Sequence, residues 1–184
     1  MTQSKENALT DSEIEGLLNA CTTPEDKFVV ISLIYSGMRV SEFTHMKKEW
    51  IDWQEETINV PPQSESWKPK TKTAIRSIPI IHEIRLKEAL RGYFAMHDSV
   101  KWTRVGVWSK IKRLARKAGI PHKVHPHALR ATAATLFAHA GLSAPTVQYI
   151  LGWSQLKTAE HYVQSSKKRA MEEVKKVYAN GTRL

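Results

Sequence analysis

The 184-residue chain is expected to be mainly α-helical with one small antiparallel β-sheet, an α+β protein. Three observations predict this. Apolar residues recur at helical spacing over most of the chain, and start and stop signals bracket those stretches. Only around "TINVPP" and "IRSIPI" does the apolar period change to two, the mark of short strands. A hydrophobic content of 41% over this length is enough for one ordinary core, and no repeat or low-complexity linker interrupts it. A single domain spanning residues 1–184 follows, with residues 1–9 a flexible start and 166–184 a C-terminal helix and tail.

Taken in order, the first helix is expected from Thr10, where "TDSE" has capping-box spacing and Ile14, Leu17 and Leu18 form an apolar stripe. A second begins at Thr23 with Pro24 in its first turn, buries "FVVISLIY" and stops at Gly37, which makes it the central helix. "RVSEFTHMKKEW" reads as a third helix, and the two strand-like runs then flank the polar "QSESWKPKTKT". Helix returns with "EIRLKEALRGYFAMH" and "VGVWSKIKRLARKAGI". In the latter Trp108, Ile111, Leu114, Ala115 and Ala118 are expected to share the apolar face, with the cations opposite. One helix opened by His127 stops at Gly141, and one capped by Ser143, with Pro145 in its first turn, stops at Gly152. "TAEHYV" is expected in a short helix and "SSKKRAMEEVKKVYA" in a last amphipathic one.

The net charge of +10 is unevenly placed. Between Ser99 and Ala159 there is no Asp or Glu, while ten Lys and Arg side chains fall in that span. A one-sign segment of this length repels itself unless it faces a polyanion, so nucleic acid is the expected partner. Lys110, Lys112, Arg113 and Lys117 are its expected contacts. The longest nearly apolar run, residues 28–35, is far too short to span a bilayer, and the polar N-terminus lacks a signal-peptide core. One cysteine, Cys21, excludes an intramolecular disulfide framework and fits a reducing compartment, so no membrane and a cytoplasmic location are expected. "HPHALRATAATLF" places His127 and Arg130 one helical turn apart at a helix start, an arrangement suited to a phosphate.

Four features then ask for one explanation: "SGMRVSE", "KPKTKTAIRSIPI", "HPHALRAT" and "LGWSQLKTAEHYV". In order and spacing they resemble the tyrosine recombinase family of phage-type integrases, over roughly residues 8–170. Arg39 falls at that family's first catalytic arginine and Glu42 at the acidic position bracing it. Lys70 matches the catalytic lysine of the β-hairpin, with Lys72 the fallback. "HALR" supplies His127 and Arg130 in the His-x-x-Arg box. Trp153 stands where most members have histidine, and Tyr162, nine residues on, is at the nucleophile position. Ala128 and Ala131 occupy places more often polar. The family's N-terminal core-binding domain is not part of the matched segment and is expected to be absent.

The resemblance implies the catalytic-domain fold of these recombinases and a site-specific DNA recombinase. Tyr162 would attack a phosphodiester to form a covalent 3′-phosphotyrosine, and Arg39 and Arg130 would bind the non-bridging oxygens with bidentate forks. His127 would act as base, Lys70 as acid to the leaving 5′-oxygen, and Trp153 as a phosphate donor. Two guanidiniums supply charge stabilisation, so no metal and no cofactor are expected. A tetramer on DNA, joined through the C-terminal helix with Met171, Val174 and Val177 on its apolar side, is the expected assembly. Two other readings remain at this point: an inactive helix-turn-helix-like DNA-binding regulator, and a type IB topoisomerase-like nicking and closing enzyme.

Overall fold

The structure is a computed structural model that describes residues 8–63, 67–69, 71–164 and 171. The expected flexible start therefore lies outside the described residues except at positions 8 and 9. The same holds for Lys70 and for the C-terminal helix, of which Met171 alone is described.

Helix α1 spans Asp11–Ala20 and opens with a complete capping box, in which Thr10 accepts from the Glu13 N–H and the Glu13 carboxylate accepts from the Thr10 N–H. Helix α2, Pro24–Ser36, is capped by Thr23 and ends at Gly37 in the left-handed region, φ 62°. Every residue from Phe28 to Ser36 is buried, which is why this helix shows no polar side. It packs against α4, Ile84–Met96, and against α6, Pro126–His139. Phe28 stacks on Tyr93 at 3.9 Å and meets Phe94 edge-on at 5.9 Å. Burial of each such ring stabilises the fold by roughly 1.5–3 kcal/mol.

The third helix is shorter than its sequence pattern. α3 covers Val40–His45 and stops at Met46, after which Lys47 pairs with Ser99 in an isolated bridge and Lys48–Trp50 forms a 3₁₀ turn. Long-range backbone bonds, Lys48 N–H to Asp98 and Val100 N–H to Met46, replace the helical ladder there. A small sheet follows: β1, Ile51–Asp52, β2, Thr57–Val60, and β3, Arg76–Pro79, all antiparallel in the order β1-β2-β3. The strand β1 has no period of its own at two residues and was not expected. Ile58 faces Ile78 across the sheet, and both are fully buried.

Helix α5, Arg104–Lys117, buries Val107, Ile111, Leu114 and Ala115. Trp108 does not join them: it is 46% exposed, because Val107 takes the inward position one residue earlier. α6 begins one residue sooner than expected, at Pro126, with the His125 ring accepting the Ala128 N–H as its cap. α7, Ala144–Leu151, is capped by Ser143 and ends at Gly152, φ 61°. Residues 156–164 are helical. No described helix is long and apolar enough to cross a membrane.

Gly37 and Gly152 are both confined by neighbours as well as by conformation. A Cβ on Gly37 would lie 2.4 Å from Leu151 Cδ2 and 3.0 Å from the Ala133 Cβ. The end of α2 thus presses on α6 and α7 where only hydrogen fits. Gly37→Ala is expected to lower stability by about 2–4 kcal/mol, combining the left-handed penalty with overpacking. Urea denaturation checks it; a loss under about 1 kcal/mol would contradict this packing.

Candidate active site

The α2–α3 junction and β3 converge on one carboxylate, beside the start of α6 and the end of α7. Glu42 is buried to 1% exposure and both its oxygens are doubly engaged. Oε1 accepts from Arg39 Nη1 at 2.8 Å and Arg76 Nη1 at 3.0 Å; Oε2 accepts from the Arg39 N–H at 2.8 Å and Arg76 Nη2 at 3.0 Å. Burial by itself would raise the Glu42 carboxyl, but the hydrogen bonds and charge of Arg76, followed by those of Arg39, hold it below the usual carboxylate range.

The same guanidiniums grip the end of α7. Arg76 Nε donates to the Ile150 carbonyl at 2.6 Å, Arg130 Nη2 to that of Leu151, and Arg39 Nη2 to that of Gly152 at 2.6 Å. Three consecutive carbonyls at the negative end of a helix dipole thus each receive one arginine. Arg130 also donates to the Gly37 carbonyl at 2.6 Å, tying α6 to the end of α2. Thr73, in the turn beside Lys72, donates to the Gly152 carbonyl at 3.2 Å, so the hairpin loop reaches the same point. A Cβ on Gly152 would stand 2.6 Å from the Thr73 carbonyl oxygen and 3.1 Å from Arg76 Cζ; only glycine permits this approach.

The arginines differ in what they have left to give. Arg76, with a side chain 1% exposed, makes four hydrogen bonds out of a guanidinium's five donors. Arg39 and Arg130 each make two through the guanidinium, and the Arg39 side chain keeps 21% exposure. Burial, then the nearby charge of Arg39, pushes Arg130 down to about 9, still protonated at neutral pH. An anion entering between these two groups relieves their repulsion.

Trp153 follows Gly152 directly and lies over this cluster, with the Arg130 Cζ 5.7 Å from its ring centroid. The Tyr162 ring stacks on Trp153 at 5.5 Å and 19°. Tyr162 is buried to 3% exposure and its hydroxyl lies within the electrostatic reach of Arg130. Arg39, Glu42, Arg130, Trp153 and Tyr162, spread over more than a hundred positions of sequence, are therefore gathered in one place. His127 stands on the first turn of α6, exposed. Its ring lies parallel to His125 at 6.3 Å, which in turn lies parallel to Trp108 at 6.2 Å. Partial burial, then Arg130 and His125, lower the His127 pKa from its ordinary value, favouring the neutral, proton-accepting imidazole. His161 is exposed and edge-on to Tyr162 at 5.8 Å.

The remaining site candidates fare differently. Lys70 is outside the described residues, as is the side chain of Lys72, whose backbone opens the 3₁₀ turn Lys72–Ala74. Of the α5 cations expected on DNA, Lys110 and Arg113 both pair with the buried Asp26 at the start of α2, Arg113 at 3.2 Å. Lys117 donates to the Ala20 carbonyl at 3.1 Å. Lys112 lies 5.1 Å from the Trp108 ring. Asp26 precedes the acid-free span, which hid this pairing. Cys21, buried at the end of α1, has its thiol pushed up to about 11, first by burial and then by Asp26, so it is a poor nucleophile. Among the described residues no three His, Cys, Asp or Glu side chains gather as a metal site.

Arg76 was missed by sequence reasoning. The signal was present: Ala74, Arg76, Ile78 and Ile80 share the period of two, and all four are buried. An arginine on the inward face of a strand requires a buried partner.

The described residues thus gather two part-committed guanidiniums beside a stacked indole and phenol, with a third arginine fixing the frame. The chain belongs to the phage integrase family, whose match covers residues 7–169. It is 29% identical over 158 residues to the tyrosine recombinase XerA of Saccharolobus solfataricus, covering 84% of this chain and 51% of that protein. To the tyrosine recombinase XerA of Thermococcus kodakarensis it is 30% identical, over 88% of this chain and 59% of that one. The chain thus spans little more than half the length of these relatives. A crystal structure of XerA recombinase superposes with a TM-score of 0.73 at 25% identity, over 96% of this chain and 64% of that one. The Tn1549 transposon integrase, solved in complex with transposon right end DNA, shares the fold with a TM-score of 0.69 at 20% identity, over 91% of this chain and 65% of that one.

Because the folded-state Glu42 carboxyl is depressed, its stabilising contribution is complete above the ordinary carboxylate pKa and vanishes as pH falls through the lower folded value. Glu42→Gln is therefore expected to cost about 3–5 kcal/mol near neutral pH, leaving buried guanidiniums uncompensated. Its deficit against wild type should shrink as pH falls below about 4. Denaturant titrations from pH 7 to 3 test this; a deficit constant with pH would contradict the ion-pair account.

Proposed function

We propose that this chain is the catalytic domain of a site-specific tyrosine recombinase acting on double-stranded DNA. Family membership supports the reaction class, and one observation carries the assignment to residues: Arg39 and Arg130, each with donors to spare, are held beside the stacked Trp153–Tyr162 pair. In this reading a scissile phosphate seats between the two guanidiniums, and their planar forks bind its non-bridging oxygens as charge develops. Trp153 adds an indole N–H. Its stack with Tyr162 must open for the buried hydroxyl to reach phosphorus.

Tyr162 then attacks, its oxygen bonding to phosphorus as the bond to the 5′-oxygen breaks. Neutral His127 takes the phenolic proton, and Lys70, with Lys72 as the alternative, protonates the departing 5′-oxygen. The phosphotyrosine ester retains the bond energy, so a second strand's 5′-hydroxyl reverses the step without an external energy source. Exposed Lys112 and the partly committed Lys110, Arg113 and Lys117 are assigned to the DNA backbone. We further infer one catalytic domain over residues 1–184, a tetramer on DNA assembled through the C-terminal helix, and a cytoplasmic, nucleoid-associated location.

The decisive experiment incubates the chain with a pool of random-sequence duplex DNA and looks for an adduct that survives SDS. Wild type should form it and Tyr162→Phe should not; an adduct persisting in that variant names another nucleophile. Arg39→Ala and Arg130→Ala should each slow adduct formation by about 10²–10³-fold while leaving most of the DNA affinity. Equal losses in both would remove these arginines from the chemistry.

The pH profile separately tests His127. Since its pKa is lowered, the adduct rate should hold as pH drops from 8 to about 6.5, the ordinary histidine value, and decline only below it. His127→Gln should be slower and lack that acid limb. An acid limb unchanged in the variant would exclude His127 as the base.

A further inference from the structure

Arg76 lies within "KPKTKTAIRSIPI" but was given no role there, yet it is the group most completely committed at the site. It forms a two-pronged pair with Glu42 at 3.0 Å on each side, both side chains 1% exposed. It also donates to the Ala74 carbonyl at 2.8 Å and the Ile150 carbonyl at 2.6 Å. Because both Glu42 oxygens also accept from Arg39, Arg76 touches the same two atoms that set the position of Arg39.

We propose that Arg76 is a positioning residue for strand cleavage: by saturating Glu42 from the buried side, it keeps Arg39 oriented and positively charged toward the phosphate. The proposal rests on the recombinase reading above. Its physical basis is charge balance. Glu42 pairs with the Arg39 and Arg76 guanidiniums and acts on the third, Arg130, through its charge alone, so the cluster keeps two net positive charges for an anion. Without Arg76 the buried carboxylate has one close guanidinium partner, and it draws Arg39 inward and neutralises it. The same loss frees the Ile150 carbonyl, loosening the turn of α7 whose next two carbonyls hold Arg130 and Arg39 and whose next residue is Trp153. A group that merely stabilised the fold would change neither the Arg39 orientation nor the rate in a chain that stays folded.

The test uses Arg76→Lys, which keeps the charge but cannot fork, and Arg76→Gln, each studied well below its own melting temperature. In nitrogen-15 NMR of the full chain without DNA, the Arg39 Nη–H signals should be separate in wild type, where Glu42 and the Gly152 carbonyl restrain the group. They should merge in the variants. With the random-sequence duplex pool, adduct formation should slow by about 10–10²-fold, as expected when a charge-stabilising group is misplaced, while DNA affinity changes less than about twofold. Arg39 signals unaltered in a folded variant, or rate and affinity falling in parallel, would overturn the proposal. So would variants that fail to fold at all, since Arg76 would then serve the scaffold. A wild-type chain that forms no adduct overturns the recombinase reading instead, and the Arg39 signals then still decide whether Arg76 orders that guanidinium.

Discussion

A single carboxylate, Glu42, organises this structure. Sequestered from water, it is an expensive group to bury unless every lone pair is matched, and here two guanidiniums and a backbone N–H match them. Those partners come from the α2–α3 junction and from β3, so satisfying one charge joins a helix pair to the small sheet. The arginines in turn reach the three carbonyls that α7 leaves open at its C-terminus. A helix end that otherwise needs solvent is completed by side chains instead. Gly37 and Gly152 make this possible by letting backbone approach backbone where a methyl group would collide.

The division of labour among the arginines follows from the number of donors each has left. Arg76 is nearly exhausted and buried, which suits it to hold other groups. Arg39 and Arg130 are half-used, close enough to repel, and placed against an indole and a phenol. Such a pair concentrates like charge: the protein meets the cost of bringing the charges together during folding, and under the proposed function a phosphate recovers it on binding. The excess positive charge of the chain is similarly divided. Asp26 takes up Lys110 and Arg113 at the α2–α5 contact, while Lys112, Arg116 and Lys123 remain exposed. Part of what looks in sequence like a surface for a polyanion is thus already engaged by Asp26, although Arg113 stays exposed.

Helix boundaries were legible because capping is local chemistry. Thr10, Thr23, Ser143, Gly37 and Gly152 act where their types and spacing place them. The departures occur where distant groups compete with local preference. "RVSEFTHMKKEW" carries a helical period throughout, yet its second half pairs with residues 98–100 and leaves the helix at His45. Trp108 has the spacing of a core residue, but Val107 serves that function and the indole stays at the surface beside His125. Arg76 was legible by parity within its strand and passed over because charge usually signals exposure.

By itself the sequence determined most of the core's composition, the order and type of nearly all elements, and the residue types on which the proposed chemistry rests. Each of these depends on groups within a few positions of one another, or on side-chain chemistry that needs no neighbour. Tertiary structure alone decided which carbonyls the arginines engage, which cations are spent on Asp26, and that Arg76 stands behind Glu42. Those outcomes depend on distances between segments up to about a hundred residues apart, and such distances exist only after the helices have packed.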